Sequence, residues 1–162
     1  MAWAKNGTPD TLGSSGDVLT ISDLTAMKFN MLMEYDIKVT NSIRTIITTD
    51  NNTATDYAKR QSVNGAADAT STSQTGISGF NGSGNDQFSI TYFVNIDSEE
   101  KLMIKNEINQ GTVGAAAAPN RTEQVGKVDT TTNSGQFTRV DSTNDQAGDL
   151  DTDSNLSVLG TD

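Results

Sequence analysis

Between residues 86 and 110 the chain reads DQFSITYFVNIDSEEKLMIKNEINQ, and apolar and polar positions take turns along it. Phe88, Ile90, Tyr92, Val94 and Ile96 are interleaved with Gln87, Ser89, Thr91 and Asn95. Successive side chains of a strand point to opposite faces, so a period of two predicts a strand with one apolar face. Only Phe93 breaks the alternation. After a polar turn at 97–101, Leu102 and Ile104 resume it. The prediction is an antiparallel hairpin that turns its apolar face to a core and its polar face to water.

The same reading extends in both directions. Residues 1–21 predict an extended arm with Trp3, a glycine-rich turn at 13–16, and a short strand with Leu19 and Ile21 on one side. Residues 27–39 (MKFNMLMEYDIKV) place Met27, Phe29, Met31, Met33, Tyr35, Ile37 and Val39 on one face of a long strand. A helix of this sequence would be apolar all round, so periodicity outweighs the helix propensity of Met and Leu. Residues 42–48 (SIRTIIT) predict a strand paired with it through a hairpin at Thr40 and Asn41. Residues 56–61 predict a short strand or edge, and 62–86 a long polar loop pinned by Ile77 and Phe80. Ala115 to Ala118 precede Pro119, which disfavours a helix there. Strands are expected at 121–129, 136–141 (with Phe137 and Val140 for the core) and 155–160 (with Leu156, Val158 and Leu159). Nine or ten strands and long connections predict an all-β, antiparallel two-sheet sandwich of jelly-roll or related Greek-key topology. One domain, 1–162, is expected, with an extended arm over about 1–16.

Composition thins the expected core. The hydrophobic fraction is 33%, or about 40% with the 14 glycines counted and the 3 tyrosines left out, below the roughly 45–50% of average globular chains. Long polar segments of this kind need outside support, so the chain is expected to be a homo-oligomer. Eleven basic residues against 21 acidic ones give a net charge of −10. No run of Lys or Arg stands out, so neither nucleic acid nor an anionic membrane is an expected partner. The opening MAWAKNGTPD has no basic region followed by an apolar stretch, and no span has transmembrane length. The expectation is synthesis in a cytoplasm and departure by lysis or within a particle.

The chain has no His and no Cys. The usual general base, the thiol nucleophile and nearly all zinc sites are therefore absent, and no catalytic residue or organic cofactor is expected. Glu99 and Glu100 are an adjacent carboxylate pair, but they fall in a predicted solvated turn. The one metal-like pattern is Asp149, Asp151, Asp153 and Asn155 in GDLDTDSN, where alternate oxygens imitate a Ca2+ loop. It lacks that loop's glycine at position six and bidentate Glu at position twelve, so a solvated acidic loop is the simpler reading. Trp3, Phe80 and Phe93 are candidate oligomer anchors. For Trp3 the plainest role is a core plug, and the functional one an anchor on a neighbour or a platform for a sugar.

The opening WAKNGTPDTLGSSGDVLTISDLTAMKF, the middle DYAKRQSVNGAADATSTSQTGI and the closing SGQFTRVDS and NLSVLG resemble small β-sandwich virion proteins of tailed phages and related viruses of marine microbes. The resemblance lies in texture, strand order and turn residues, and it carries no enzymatic residue. It implies a capsid decoration or cement protein, or a tail or fibre component, oligomeric and in contact with a major capsid or tail protein, and located in the virion. A carbohydrate-binding adhesin module on such a particle, taking a glycan, is the second expectation. A cell-surface filament subunit is the third.

Overall fold

The computed structural model describes residues 2–79, 85–129 and 135–162. Those residues form two antiparallel sheets and no α-helix, so no helix is long and apolar enough to cross a membrane. In chain order the strands are β1 (Ala4–Lys5), β2 (Asp10–Thr11), β3 (Val18–Ile21), β4 (Phe29–Asp36), β5 (Thr45–Thr49), β6 (Tyr57–Val63), β7 (Ala69–Gln74), β8 (Ile77–Ser78), β9 (Gln87–Val94), β10 (Lys101–Asn109), β11 (Asn120–Val128), β12 (Val140–Asn144) and β13 (Asn155–Thr161). The large sheet has the order β1-β13-β4-β9-β10-β11-β6-β7, with β2 also on β13, and the small one β3-β12-β5-β8. The expected two-sheet β-sandwich is the fold observed.

The hairpin of β9 and β10 is formed as the alternation predicts, with Phe88 opposite Ile108, Tyr92 opposite Ile104 and Phe93 opposite Met103. Its orientation is the reverse of the prediction. Phe88, Tyr92, Leu102, Ile104 and Ile108 lie on the exposed face, whereas Gln87, Ser89, Thr91, Lys105 and Glu107 are buried between the sheets. β4 shares this phase: Phe29 and Tyr35 face out, and Asn30, Leu32, Glu34 and Asp36 face in. The core is built by the residues that interrupt the pattern. Leu32, Phe93 and Met103 join Leu19, Ile21, Ile47, Ile77, Phe137, Val140, Leu150, Leu156 and Val158 in one buried cluster. Phe93 is thus a core residue and not an oligomer anchor. Its ring meets Phe137 edge-on at 5.4 Å.

Further differences have local causes. β4 covers eight residues, and β5 does not pair with it: β5 crosses to the small sheet between β12 and β8, so there is no hairpin at Thr40 and Asn41. β6 is an interior strand between β11 and β7. The segment 62–86 contains β7 and β8, and Ile77 is fully buried as its pin; Phe80 lies outside the described residues. The arm is ordered in its own subunit. Ala4 and Lys5 pair with Gly160 and Leu159, and buried Asn6 holds Thr25 through both side-chain atoms, at 3.0 and 2.8 Å. Gly7 has a φ of 74°, and a Cβ there would come within 2.6 Å of Ile21 Cγ2, so only glycine fits this turn.

Leu32→Ala, at an almost fully buried site in the middle of the large sheet, is expected to cost about 2–5 kcal/mol through lost burial and a residual cavity. Ile104→Ala, at a site 53% exposed, is expected to cost clearly less in the isolated chain. Urea denaturation at low protein concentration measures both, and equal losses would contradict this assignment of faces.

Candidate interaction surface

On the outward side of the large sheet, register sets apolar side chains next to one another across strands. Leu159 lies opposite Met31, Met31 opposite Tyr92, Tyr92 opposite Ile104, and Ile104 opposite Val125, giving a row over β13, β4, β9, β10 and β11. A second row runs Tyr35, Phe88, Ile108. Neighbouring β-branched and aromatic side chains favour strand pairing, which accounts for the local order. It does not cover the side chains. Trp3, Phe29, Tyr35, Phe88 and Tyr92 are 36–45% exposed, and Leu102, Ile104, Ile108 and Val125 are 49–53% exposed.

The face is concave. A groove of about 720 Å³ crosses it, lined at one edge of the sheet by Trp3 and Phe29, in the middle by Tyr92, Leu102, Ile104 and Val125, and at the far edge by Thr70 and Thr72. Since β1 and β7 are the two edge strands, the sheet must curl for both ends to line one groove. Trp3 stands at the rim of that groove, 45% exposed, and not in the core.

Acidic side chains are nearly absent from this face. Among the outward positions of β4, β6, β9, β10, β11 and β13, Glu123 is the one acidic side chain. Three cations of this face have an anion beside them: Arg60 has Asp68 at 3.4 Å, Arg121 has Glu123 at 3.8 Å, and Lys127 has Glu100 at 2.6 Å. The hydrogen bond to Glu100 raises the Lys127 ammonium above its ordinary range. The surplus of acidic residues therefore lies away from the apolar rows.

The inward side of the same strands carries a closed layer of charge. Lys105 Nζ lies 3.1 Å from Glu107 Oε2, with both side chains essentially out of contact with water. Burial alone would lower the Lys105 pKa, but Glu107, Glu34 and Asp36 outweigh it and hold the ammonium above its ordinary range. Glu34 accepts hydrogen bonds from Ser142 of the small sheet and, at 3.3 Å, from Ser89. Asp36 Oδ2 accepts from Gln87 at 2.7 Å and from Thr45 at 3.2 Å. Burial, then the neighbouring Glu34 charge, raise the Asp36 pKa well above its usual value. Burial lowers that of Lys59 to about 8. These groups tie the sheets together, and the groove on the outer face does not open onto the carboxylates.

Compared with protein-family models, curated proteins and solved structures, the chain matches none of them. Its surfaces have to be read from their own chemistry.

The acidic loop is drawn into the fold by its backbone. Val39 N–H donates to Asp149 O at 3.1 Å, Asp151 N–H to Ile37 O at 2.7 Å, and Asp153 N–H to Leu12 O at 2.9 Å, while Leu150 between them is fully buried. Asp151 Oδ1 accepts from the Thr152 amide at 2.7 Å, and the Asn155 amide donates to Asp10 O at 3.1 Å. Among the described residues no three carboxylates converge on a point where a cation could sit. Asp149, Asp151, Asp153 and Asn155 are thus turn and clamp residues. Glu100 is engaged by Lys127, and the backbone O of Glu99 accepts from Lys101 Nζ at 2.9 Å. The alternation along the sequence shows these rows and points them to a core; the structure turns them to water. The signal that separates the faces is the one apolar interruption in each polar phase, at Leu32, Phe93 and Met103.

A pH dependence follows from Asp36. A folded-state pKa raised above 3.8 means that the folded chain keeps a proton which the unfolded chain releases, so stability falls as pH rises from about 4 through the folded value. Asp36→Asn imitates the protonated carboxyl and is expected to remove that part of the slope, leaving the variant more stable than the parent at neutral pH. Thermal melts from pH 4 to 8 test it; parallel curves for the two proteins would refute it.

Proposed function

We propose that this chain is a non-enzymatic structural subunit of a virus particle, a capsid decoration or cement protein or a tail or fibre component, that works by assembly with other proteins of the particle. The observation that carries the reading is the inverted large sheet, with charged side chains locked between the sheets and aromatic and aliphatic ones held outward on a concave face poor in acidic side chains. Exposed apolar area of this extent is a mark of an interface. Five large aromatics on one face, three of them beside the groove, provide the anchors that such interfaces use. The displaced pKa values of Asp36 and Lys59 support the same reading, because these two side chains bond to Thr45 and Ser78 of the small sheet. The resemblance to marine phage virion proteins supplies the kind of assembly.

A second reading has one observation in its favour: Trp3, Phe29 and Tyr92 stand around one groove, as aromatic platforms for sugars do. The groove offers few polar partners. Asn30 is buried, and its amide donates to Met27 O at 3.1 Å.

In purified particles of a virus whose genome encodes this chain, quantitative mass spectrometry is expected to find it in a fixed ratio to the major capsid or tail protein. An antibody to the chain is expected to label intact particles at one location. Its absence from particles would overturn the proposal, and tight binding on a glycan array in place of assembly would favour the second reading.

A further inference from the structure

The apolar face is close to the area of a specific interface. An aromatic side chain carries about 150–250 Å², and an aliphatic one fully buried at ~25 cal/mol per Å² corresponds to about 60–120 Å². At the exposures observed, the six groove residues Trp3, Phe29, Tyr92, Leu102, Ile104 and Val125 leave roughly 300–500 Å² of apolar surface in water. A standard interface uses about 800 Å² per partner, roughly 60% of it apolar. The match is with a protein partner and not with a small molecule.

Shape and charge narrow the choice. A concave face packed on a second concave face leaves a void between them, and interfaces are packed as densely as interiors. The occupant of the groove must therefore be convex. Arg60, Arg121 and Lys127 are each paired within the chain, so these cations offer no open socket to a strongly charged partner. The chain itself has a protrusion of the required kind. Residues 110–119, QGTVGAAAAP, connect β10 and β11 and contain no charged side chain; Val113 at its tip is 77% exposed, and Ala115 to Ala118 are exposed. Gly111 and Gly114 have φ values of 62° and 104°, which hold the tip in a backbone shape that other residues rarely adopt. The loop cannot reach its own groove. Ile104 lies five residues from the loop end of β10, about 17 Å along the strand, and the loop leaves the sheet at the opposite end from Phe29 and Leu102.

We infer that the groove on the large sheet receives the 110–119 loop of a second copy of this chain, so that subunits join head to tail. Val113 and the alanines seat on Tyr92, Leu102, Ile104 and Val125, with Trp3 and Phe29 closing one side. The contact is heterologous: it uses two different surfaces and leaves a free loop and a free groove at each step. Such contacts close into rings or run on as filaments. The inference rests on the assembly reading above and specifies which surfaces carry it.

Charge-insertion variants test it. Val113→Glu and Ile104→Glu both change exposed positions and are expected to keep the far-ultraviolet circular dichroism of the parent. Light scattering during gel filtration at about 100 μM is expected to show the parent as an oligomer and each variant as a monomer. Mixed in equal amounts, the two variants are expected to form a one-to-one dimer, because the intact groove of the first accepts the intact loop of the second. As the chain lacks cysteine, Val113→Cys and Leu102→Cys supply a second measurement. Under a mild added oxidant, the mixed single variants, or the double variant, should give disulfide-linked species, and neither single variant alone should do so. A monomeric parent, an oligomer unaffected by Val113→Glu, or a mixture that remains monomeric would overturn the inference. An oligomer broken by Ile104→Glu alone would do the same in favour of sheet-to-sheet packing. Failure here with the chain still present in purified particles would leave the virion reading standing, and absence from particles with cross-linking intact would do the reverse.

Discussion

Phe93 and Asn95, two successive inward residues at the end of the central strand, are held by the segment that leads into β12. The Phe93 ring meets Phe137 edge-on at 5.4 Å. Phe137 N–H donates to Asn95 Oδ1 at 2.9 Å, and Asn95 Nδ2 donates to Phe137 O at 3.2 Å and to Met27 O at 3.1 Å. These contacts fix which side of the pleat looks inward. Because a strand has a period of two, that one choice propagates along β9 and across the ladder to β4, β10 and β11. It places Tyr92, Ile104 and Val125 outside and Thr91, Lys105 and Gln124 inside.

The choice has a cost on both faces. Inside, Lys105, Glu107, Glu34 and Asp36 have lost water, and charges buried in this way repay desolvation only through close mutual contacts and hydrogen bonds. Glu34 and Asp36 repay it with Ser142 and Thr45 on the small sheet and with Ser89 and Gln87 on the large one, and Lys105 and Glu107 with each other; the bonds between sheets also give the sandwich a unique alignment of its layers. Outside, aromatic and aliphatic groups remain in contact with water, at a free-energy cost. The polar interior and the apolar exterior are thus one fact with two consequences. A chain whose hydrophobic residues all served its own core would have no apolar face left in water.

The edges of the large sheet are managed in a compatible way. β13 is covered by the arm, whose two short strands pair with Leu159, Gly160, Asn155 and Leu156. The arm is tied by Asn6, and Gly160 leaves room for Met27 and Asn6, which a Cβ would meet at 2.5 and 3.0 Å. Pairing along this edge removes a template for indiscriminate strand addition. Trp3 is carried to the rim of the groove by the same pairing, so ordering of the arm and shaping of the apolar face are coupled.

Much of the fold was legible in the sequence. Alternation located β4, β9, β10, β11 and β13 to within a few residues, the lack of helical periodicity established the all-β class, and Phe137 and Val140 were recognisable as core. Short polar strands such as β7 were not, because ATSTSQ has no apolar side to reveal a period. The partner of β5 was not either, since adjacency in sequence says nothing about which of two sheets a strand joins. The site was half legible: the apolar rows could be seen, but their destination could not. A period of two states that the two faces of a strand differ and leaves open which of them is covered. That is decided by contacts between residues far apart in the chain, Phe93 with Phe137 and Glu34 with Ser142, which exist only once the layers have been stacked.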